Sequence, residues 1–380
     1  MQYRKFGTLD WKASVLGFGC MRFPNLDGQR NSPNVDEPEA VRMLRYAIDN
    51  GVNYVDTAYP YHEGKSELIV GRALKDGYRE KVKLATKLPV WLVKSPADFD
   101  RLLNEQLGKL QTSHIDFYLF HALNQNNWRD VVLRHNLLAQ AAVALADGRI
   151  RHLGFSFHGD YAAFEEIING SDLWTFCQIQ YSYMDTENQA GTPGLKLAAS
   201  KGLAVVVMEP LLGGRLADPP PDVRELMESY PVPRTPAEWA LKWLWDQPEV
   251  SVVLSGMSTL GQVEENLCYA GAFRIGSFSP TEHALIAAVR ERYSARTVIP
   301  CTRCGYCMPC PNGIDIPTNF ELFNSAHAFN DVMSSRFRYK VLLTDSQRAG
   351  SCMDCGSCEP LCPQKIDIPQ WMAKVTVLLD

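Results

Sequence analysis

The sequence predicts an α/β fold, a (β/α)8 TIM barrel followed by a small, mainly helical domain. Short apolar runs alternate with segments of helical periodicity through the first 270 or so residues. There are eight such runs, the number of parallel strands that closes into a barrel. After residue 300 the composition changes, because eight of the 11 cysteines lie there in two short runs.

Each of the eight runs has the length and the β-branched content of a buried strand. In chain order they are VLGFG (15–19), YVDTA (54–58), VKLATK (82–87), IDFYLFH (115–121), RHLGFSFH (151–158), FCQIQYS (176–182), LAVVVMEPL (203–211) and VSVVLSG (250–256). An open, doubly wound sheet is the competing arrangement. It needs a glycine-rich first turn, and the segment GFGCMR (17–22) lacks the G-x-G-x-x-G pattern.

Helical segments fill the intervals between the runs. Two of them show clear apolar faces, made of Val41, Leu44 and Ile48, and of Phe99, Leu102, Leu103, Leu107 and Leu110. Gly51, Gly77 and Gly202 are predicted to end helices.

The chain of 380 residues is long for one average domain. We predict a barrel over residues 1–290 and a second domain over 291–380. The second domain contains an internal repeat, GIDIP (313–317) and KIDIP (365–369), on either side of a helical stretch.

Charge and hydropathy exclude several classes of partner. The formal net charge is −5, and no basic run indicates a nucleic-acid surface. The N-terminus has no basic segment followed by an apolar run, so we expect no signal peptide. No apolar stretch approaches the ~20 residues of a membrane span. We expect a cytoplasmic protein whose clustered cysteines bind metal and do not form disulfides.

Four titratable residues fall at the predicted strand ends. Asp56, Lys87 and His121 end the second, third and fourth strands or lie close to those ends, and Tyr61 follows Asp56 by five residues. Barrel enzymes carry their chemistry at this edge. One such residue alone is typical of packing or of a solvated surface, but four together indicate a site.

These residue types suit the reduction of a carbonyl by hydride. The alkoxide that forms must be protonated, and Tyr61 is the predicted general acid. A phenol with its ordinary pKa of about 10 is too weak for this role. We expect Lys87 to lower the pKa of Tyr61, Asp56 to orient Lys87, and His121 to donate a hydrogen bond to the carbonyl oxygen.

The segments DTAYPYHEGKSE (56–67), ATK (85–87) and DFYLFH (116–121) resemble the catalytic tetrad of the aldo-keto reductase family. The resemblance covers about residues 1–275. It implies the catalytic roles given above. It also implies that NADPH or NADH binds extended across the barrel mouth, without a Rossmann domain.

The same resemblance implies contacts to the cofactor. Ser156 and Gln178 match contacts to the nicotinamide amide, and Met208 stands where an aromatic residue commonly stacks on the ring. Barrel core is the alternative for Gln178 and Met208. The remaining predicted contacts are Gly19, Cys20 and Met21 after the first strand, Pro210 and Leu211 after the seventh, and Gly256, Gln262, Glu265 and Asn266 after the eighth.

Two of these positions depart from the family pattern. Glu265 and Asn266 match the pair that contacts adenine. Gly256 and Gln262 stand where many members direct basic residues at the 2′-phosphate. The choice between NADPH and NADH therefore stays open.

The second cysteine run is typical of a bacterial ferredoxin. Cys352, Cys355, Cys358 and Cys362 follow C-x2-C-x2-C-x3-C-P, the pattern of a [4Fe–4S] cluster in which the fourth cysteine serves the other cluster. A structural zinc site, the alternative, uses two C-x-x-C pairs and needs no third repeat.

The first run is one residue shorter. Cys301, Cys304, Cys307 and Cys310 precede Pro311. We predict two [4Fe–4S] clusters with exchanged fourth ligands: Cys301, Cys304 and Cys307 with Cys362, and Cys352, Cys355 and Cys358 with Cys310. If the short gap prevents this, one cluster remains, and the first run forms a zinc site or a loop of free thiols.

The segment CTRCGYCMPCPNGIDIP (301–317) resembles a branch of the aldo-keto reductases with a ferredoxin-like tail. The leading hypothesis is an NAD(P)H-dependent oxidoreductase acting on a small-molecule carbonyl or alcohol, with an electron-transfer module. A ferredoxin, flavodoxin or flavoprotein is the expected electron partner. The alternative is an electron-transfer subunit or redox-sensing protein whose barrel binds nucleotide without turnover. Hydride transfer moves two electrons and clusters move one, and no flavin motif is present. The tail therefore docks a flavoprotein, takes electrons through a substrate radical, or senses redox state and stabilises the fold.

Overall fold

The chain forms two compact units. A computed structural model describes residues 1–29 and 31–380. The first unit holds residues 1–213 and 237–279, and the second holds 214–236 and 280–380. The predicted domain boundary at residue 290 falls inside a helix, Pro280–Ser294, and it stays a prediction.

Eight parallel strands close into a barrel in the first unit, which confirms the predicted fold class. Each strand pairs with the next in the chain, and the last pairs with the first. Two short antiparallel strands, β1 (Tyr3–Lys5) and β2 (Lys12–Ser14), come before them. The barrel strands are β3 (Leu16–Gly19), β4 (Tyr54–Asp56), β5 (Lys83–Leu88), β6 (Ile115–Leu123), β7 (Ile150–Phe157), β8 (Trp174–Gln180), β9 (Ala204–Met208) and β10 (Val250–Ser255).

Helices follow the strands. They are α1 (Glu37–Asp49), α2 (Lys65–Ala73), α3 (Ala97–Leu110), α4 (Gln125–Asn127), α5 (Leu137–Ala146), α6 (Tyr161–Asn169), α7 (Gly191–Ser200), α8 (Pro221–Glu228), α9 (Pro236–Asp246), α10 (Leu260–Ala272), α11 (Pro280–Ser294), α12 (Ile316–Ala328), α13 (Val332–Leu342) and α14 (Ile368–Leu379). Across residues 1–29 and 31–380, none of the helices has the length and apolarity to span a bilayer.

Aromatic side chains fill the amino-terminal end of the barrel. Phe6, in the turn between β1 and β2, lies 4.6 Å from the ring of Phe117 and 5.8 Å from that of Tyr54, measured between ring centroids. All three side chains are buried. The hairpin therefore closes this end of the barrel, and the buried polar side chains of the candidate site lie toward the carboxyl end.

The second unit is built around the internal repeat. Asp315 and Asp367 cap α12 and α14 by accepting hydrogen bonds from Thr318 N and Gln370 N. In both copies Ile and Pro then start the helix, where proline is well tolerated because it lacks only an N–H that would have no helical partner. The two helices and the cysteine segments share one apolar core.

Candidate functional site

The structure brings the four predicted catalytic residues together at the carboxyl end of the barrel. Lys87 Nζ lies 2.6 Å from Asp56 Oδ1 and 3.2 Å from Tyr61 OH. It also donates to Thr57 O at 2.8 Å. The Lys87 side chain is only 1% exposed. One buried ammonium therefore joins a carboxylate to a phenol.

Burial dominates the electrostatics of this group. Burial raises the pKa of Tyr61, and the ammonium of Lys87 offsets only part of that rise. Lys87 thus lowers the pKa of Tyr61 as predicted, but the larger effect of burial was not predicted: the phenolate would lose its hydration in this buried position. For Lys87, burial alone would lower the pKa, but Asp56 and Tyr61 outweigh it, so the lysine is charged.

His121 lies beside the phenol as a neutral imidazole. Its ring centroid is 6.2 Å from that of Tyr61 and 5.0 Å from that of Trp91. Burial, followed by the charge of Lys87, holds the pKa of His121 well below its ordinary value. Its Nδ1 atom is buried and has no hydrogen-bond partner in the described residues. A neutral imidazole can still donate one hydrogen bond, from whichever nitrogen carries the proton.

Sequence reasoning missed a buried network behind Lys87. Gln106 Nε2 donates to Lys87 O at 3.0 Å and to Glu67 Oε1 at 2.6 Å. Glu67 Oε1 also accepts from Thr86 Oγ1, and Tyr118 OH donates to Gln106 Oε1. A signal existed, because Gln106 interrupts the apolar face of α3 between Leu103 and Leu110.

Two predicted nicotinamide contacts lie next to the catalytic group. Gln178 Nε2 donates to Asp56 Oδ2 at 3.4 Å, and its Oε1 atom is buried without a partner in the described part of the chain. Ser156 Oγ accepts from Ala122 N, the residue after His121. Gln178 thus offers an unpaired acceptor, and Ser156 retains a hydroxyl proton to donate. Both suit a carboxamide group.

Other predicted contacts line the same end of the barrel. Gly19 and Cys20 are buried at the end of β3, and Met21 is exposed. Burial raises the pKa of Cys20 well above that of an ordinary thiol. Met208 ends β9 partly exposed, and Pro210 and Leu211 follow it. The cofactor roles of these residues stay predictions.

The loop after β10, residues 256–259, contains no basic side chain. Gln262 Oε1 accepts from Ser258 N within the helix cap, and Asn266 Nδ2 donates to Ser255 Oγ, while Glu265 is exposed. A Cβ on Gly256 would lie 2.6 Å from Arg22 Cγ. Gly256 therefore makes room for Arg22, whose guanidinium reaches toward Gly213 after β9.

The eight cysteines of the second unit surround two cavities. Site 1 is lined by Cys301, Cys304, Cys307 and Cys362. Site 2 is lined by Cys310, Cys352, Cys355 and Cys358. The fourth cysteine of each run thus lies at the site of the other run. The chain folds into the exchanged arrangement despite the shorter first gap.

The environment of both sites suits a cluster. All eight thiols are free, and Ile316 and Ile368 lie at both sites, so an apolar wall separates them. Within residues 1–29 and 31–380, no three His, Cys, Asp or Glu side chains are grouped closely enough to hold a single metal ion. Four thiols around a cavity are the donor set of a [4Fe–4S] cluster.

Comparisons with known proteins match both the barrel and the cysteine-rich region. The Aldo/keto reductase family model matches residues 15–291, and the 4Fe-4S dicluster domain model matches residues 300–366. An uncharacterized oxidoreductase, YqkF of Bacillus subtilis, is 28% identical over 72% of this chain and 93% of its own.

Solved structures resemble the barrel. The holo form of aldo-keto reductase AKR11C1 from Bacillus halodurans has a TM-score of 0.63 and is 28% identical, over 76% of this chain and 96% of its own. An aldo-keto reductase from Klebsiella pneumoniae, solved in complex with NADPH, has a TM-score of 0.61 at 24% identity, over 75% of this chain and 93% of its own. This chain therefore belongs to the aldo/keto reductase family and carries in addition a C-terminal 4Fe-4S dicluster domain.

Proposed function

We propose that this oxidoreductase uses NADPH or NADH to reduce a small-molecule carbonyl, or to oxidise the corresponding alcohol, and that its second unit transfers single electrons through two [4Fe–4S] clusters. The observation that carries the proposal is the buried Lys87 ammonium, 2.6 Å from Asp56 and 3.2 Å from Tyr61.

Tyr61 is the general acid and base. Its raised pKa keeps the phenol protonated at neutral pH, so it can donate a proton to the carbonyl oxygen. The phenolate that remains is stabilised by Lys87, whose own charge is held by Asp56. His121 donates a hydrogen bond to the same oxygen as negative charge develops. In the alcohol direction the phenolate accepts the hydroxyl proton.

Side chains of the barrel mouth hold the cofactor. A bound nicotinamide dinucleotide would supply or accept the hydride. Gln178 Oε1 would accept from its carboxamide, Ser156 would donate to it, and Met208 would pack against the ring. Glu265 and Asn266 would contact the adenine, and the guanidinium of Arg22 brings positive charge to the loops after β9 and β10, where barrels often bind phosphate.

Thiolates of the second unit hold the clusters. Cys301, Cys304, Cys307 and Cys362 ligate at site 1, and the other four ligate at site 2. Each cluster would supply a one-electron couple. The electron partner is a ferredoxin, a flavodoxin or another flavoprotein.

Tyr61→Phe tests the enzymatic part. We expect reduction across a panel of aldehydes and ketones to fall by a factor of about 10² to 10⁴, the usual contribution of general acid catalysis. NADPH affinity, measured by fluorescence titration, stays unchanged. The matched control is Tyr59→Phe, since Tyr59 bonds Glu105 and does not touch the catalytic group.

Two results would contradict this part. Full activity in Tyr61→Phe would rule out Tyr61 as the general acid. A wild-type chain that binds nucleotide, turns over no carbonyl or alcohol, and is rapidly reduced by ferredoxin would favour an electron-transfer subunit.

Iron counting tests the second part. Protein purified without oxygen is expected to contain four iron atoms for each of two clusters. After reduction, its EPR spectrum should show two interacting clusters. One zinc ion per chain, or a single cluster, would overturn the two-cluster assignment.

A further inference from the structure

The two cysteine loops are structural copies of each other. Cys301–Cys307 reads CTRCGYC, and Cys352–Cys358 reads CMDCGSC. Equivalent residues share backbone conformation, since φ is 57° at Arg303 and 50° at Asp354. Equivalent helix starts line the sites, Pro317 of α12 at site 1 and Pro369 of α14 at site 2. The partial charges of the helix ends and the backbone are therefore similar at the two sites. Any difference in electrostatic surroundings between the sites must come from their side chains.

Charged side chains break this symmetry at three positions. Arg303 in the first loop corresponds to Asp354 in the second, and Met308 corresponds to Glu359. Lys365 lies three residues after Cys362, a cysteine of site 1, whereas the uncharged Gly313 lies three residues after Cys310, a cysteine of site 2. All three differences make the surroundings of site 1 more positive than those of site 2.

Three of these charges, on Arg303, Asp354 and Glu359, lie close to the cysteines. Arg303 lines site 1, and its backbone N–H donates to Cys301 Sγ at 3.4 Å. Asp354 adjoins Cys355, and Glu359 Oε2 lies 3.9 Å from where a Cβ on Gly356 would stand, at the wall of site 2.

Two features reduce the difference in charge between the surroundings of site 1 and site 2 without cancelling it. Arg303 pairs with Glu321 at 3.1 Å, but Glu321 also faces Arg338 at 3.7 Å, so two cations share one carboxylate and positive charge remains. At site 2, the hydroxyl of Ser357 lies 3.6 Å from Cys355 Sγ and can donate to a thiolate. One such dipole is weaker than the full charges of Asp354 and Glu359.

We infer that the two clusters have unequal midpoint potentials, with site 1 the higher, so that an electron entering at site 2 passes to site 1. Reduction adds one negative charge to a cluster, and nearby positive charge favours that state. In the transfer, the site 2 cluster loses one electron and the site 1 cluster gains it. The inference rests on the proposed function, because it requires a cluster at each site.

Exchange of the paired charges tests the inference. The full chain is titrated anaerobically against redox mediators and followed by EPR. Arg303→Asp should lower the potential of one cluster, and Asp354→Arg should raise that of the other. The double variant should narrow the gap between the two potentials, since Glu359 and Lys365 keep their charges. We expect the equilibrium ratio of the two singly reduced states to change at least about tenfold per exchange, equivalent to about 59 mV for one electron.

Two further variants keep the result interpretable. Lys340→Asp reverses an exposed charge on α13 that lines neither site, and it should move neither potential. If Arg303→Asp does not load iron, Arg303→Gln must shift the same cluster in the same direction by a smaller amount. Two coincident potentials in the wild type, or a gap between them that is unchanged in the double variant, would overturn the inference while the iron count still supports two clusters. An iron count for one cluster removes the proposed function itself.

Discussion

At the scale of single residues, the candidate active site depends on how Lys87 is partnered. Its three hydrogen-bond acceptors are Asp56 Oδ1, Thr57 O and Tyr61 OH, and the side chain is almost fully shielded from water. A buried ammonium without such partners would lose its proton. The carboxylate keeps the charge in place, and the charge then acts on the phenol.

Replacement of Lys87 by Met should shift the pH profile of alcohol oxidation upward. Oxidation requires the Tyr61 phenolate, and Lys87 is the group that lowers the pKa of Tyr61 against the effect of burial. Without it, the pKa rises further and half-maximal activity moves to higher pH. Steady-state rates from pH 6 to 11 measure the shift. Lys75→Met, at an exposed lysine, should leave the profile in place.

At the scale of elements, Asp116 ties two neighbouring strands together at the amino-terminal end of the barrel. This β6 carboxylate accepts from Leu84 N on β5 at 3.0 Å, from Lys83 Nζ at 3.0 Å and from Arg79 Nη2 at 2.7 Å. Burial would raise the pKa of Asp116, but Arg79, the Leu84 N–H and Lys83 outweigh it and hold the pKa below its ordinary value.

Asp116→Asn should destabilise the fold by about 3 kcal/mol at pH 7, because a buried partner of Arg79 is lost. Above pH about 3.9, the pKa of an aspartate in the unfolded chain, the Asp116 carboxylate contributes its full stabilisation to the wild type. That stabilisation is lost as the pH falls through the lower pKa that Asp116 has in the folded chain. The variant should therefore approach the wild type in acid. Urea unfolding at pH 7 and pH 3 measures the free energy of unfolding of the wild type and of the variant. Asp76→Asn, at an exposed ion pair, should cost less than about 1 kcal/mol. An equal loss at both pH values would contradict the linkage.

Sequence patterns predicted the barrel strands well and the surroundings of the site less well. The eight runs carry β-branched residues in sufficient length, whereas β1 and β2 have three residues each and were missed. Strand ends predicted the meeting of Asp56, Tyr61, Lys87 and His121. The lowering effect of Lys87 on the pKa of Tyr61 was predicted, but the larger rise caused by burial was not, because burial depends on packing from distant segments. Gln106 was missed for the same reason, since its partners lie 12 to 39 residues away.

At the scale of the whole molecule, the residues proposed for hydride chemistry and those proposed for one-electron chemistry belong to different units. The four proposed catalytic residues all belong to the first unit, and the eight cysteines around sites 1 and 2 all belong to the second. No described residue contributes to both groups.

Cys355→Ser should therefore separate the two activities. We expect iron content and electron exchange with ferredoxin or flavodoxin to fall, because site 2 loses a ligand. NADPH-dependent carbonyl reduction should stay within about twofold of wild type, since no catalytic group changes. Iron analysis, stopped-flow absorbance and steady-state assays measure the three quantities. Cys268→Ser, at an exposed thiol on α10, is the control. Full electron exchange by a cluster-free chain would contradict the electron-transfer role.

The exchanged fourth cysteines have a consequence for biosynthesis. Site 1 lacks its last thiol until residue 362 has left the ribosome, and site 2 lacks its own until residue 358. Neither cysteine run can therefore complete its site without a cysteine from the other run. The barrel strands, by contrast, are all complete by residue 255, before the first cysteine of either run is translated. Assembly at either site must therefore wait for nearly the whole chain, and a chain truncated inside the second loop would lack a cysteine at each of the two sites.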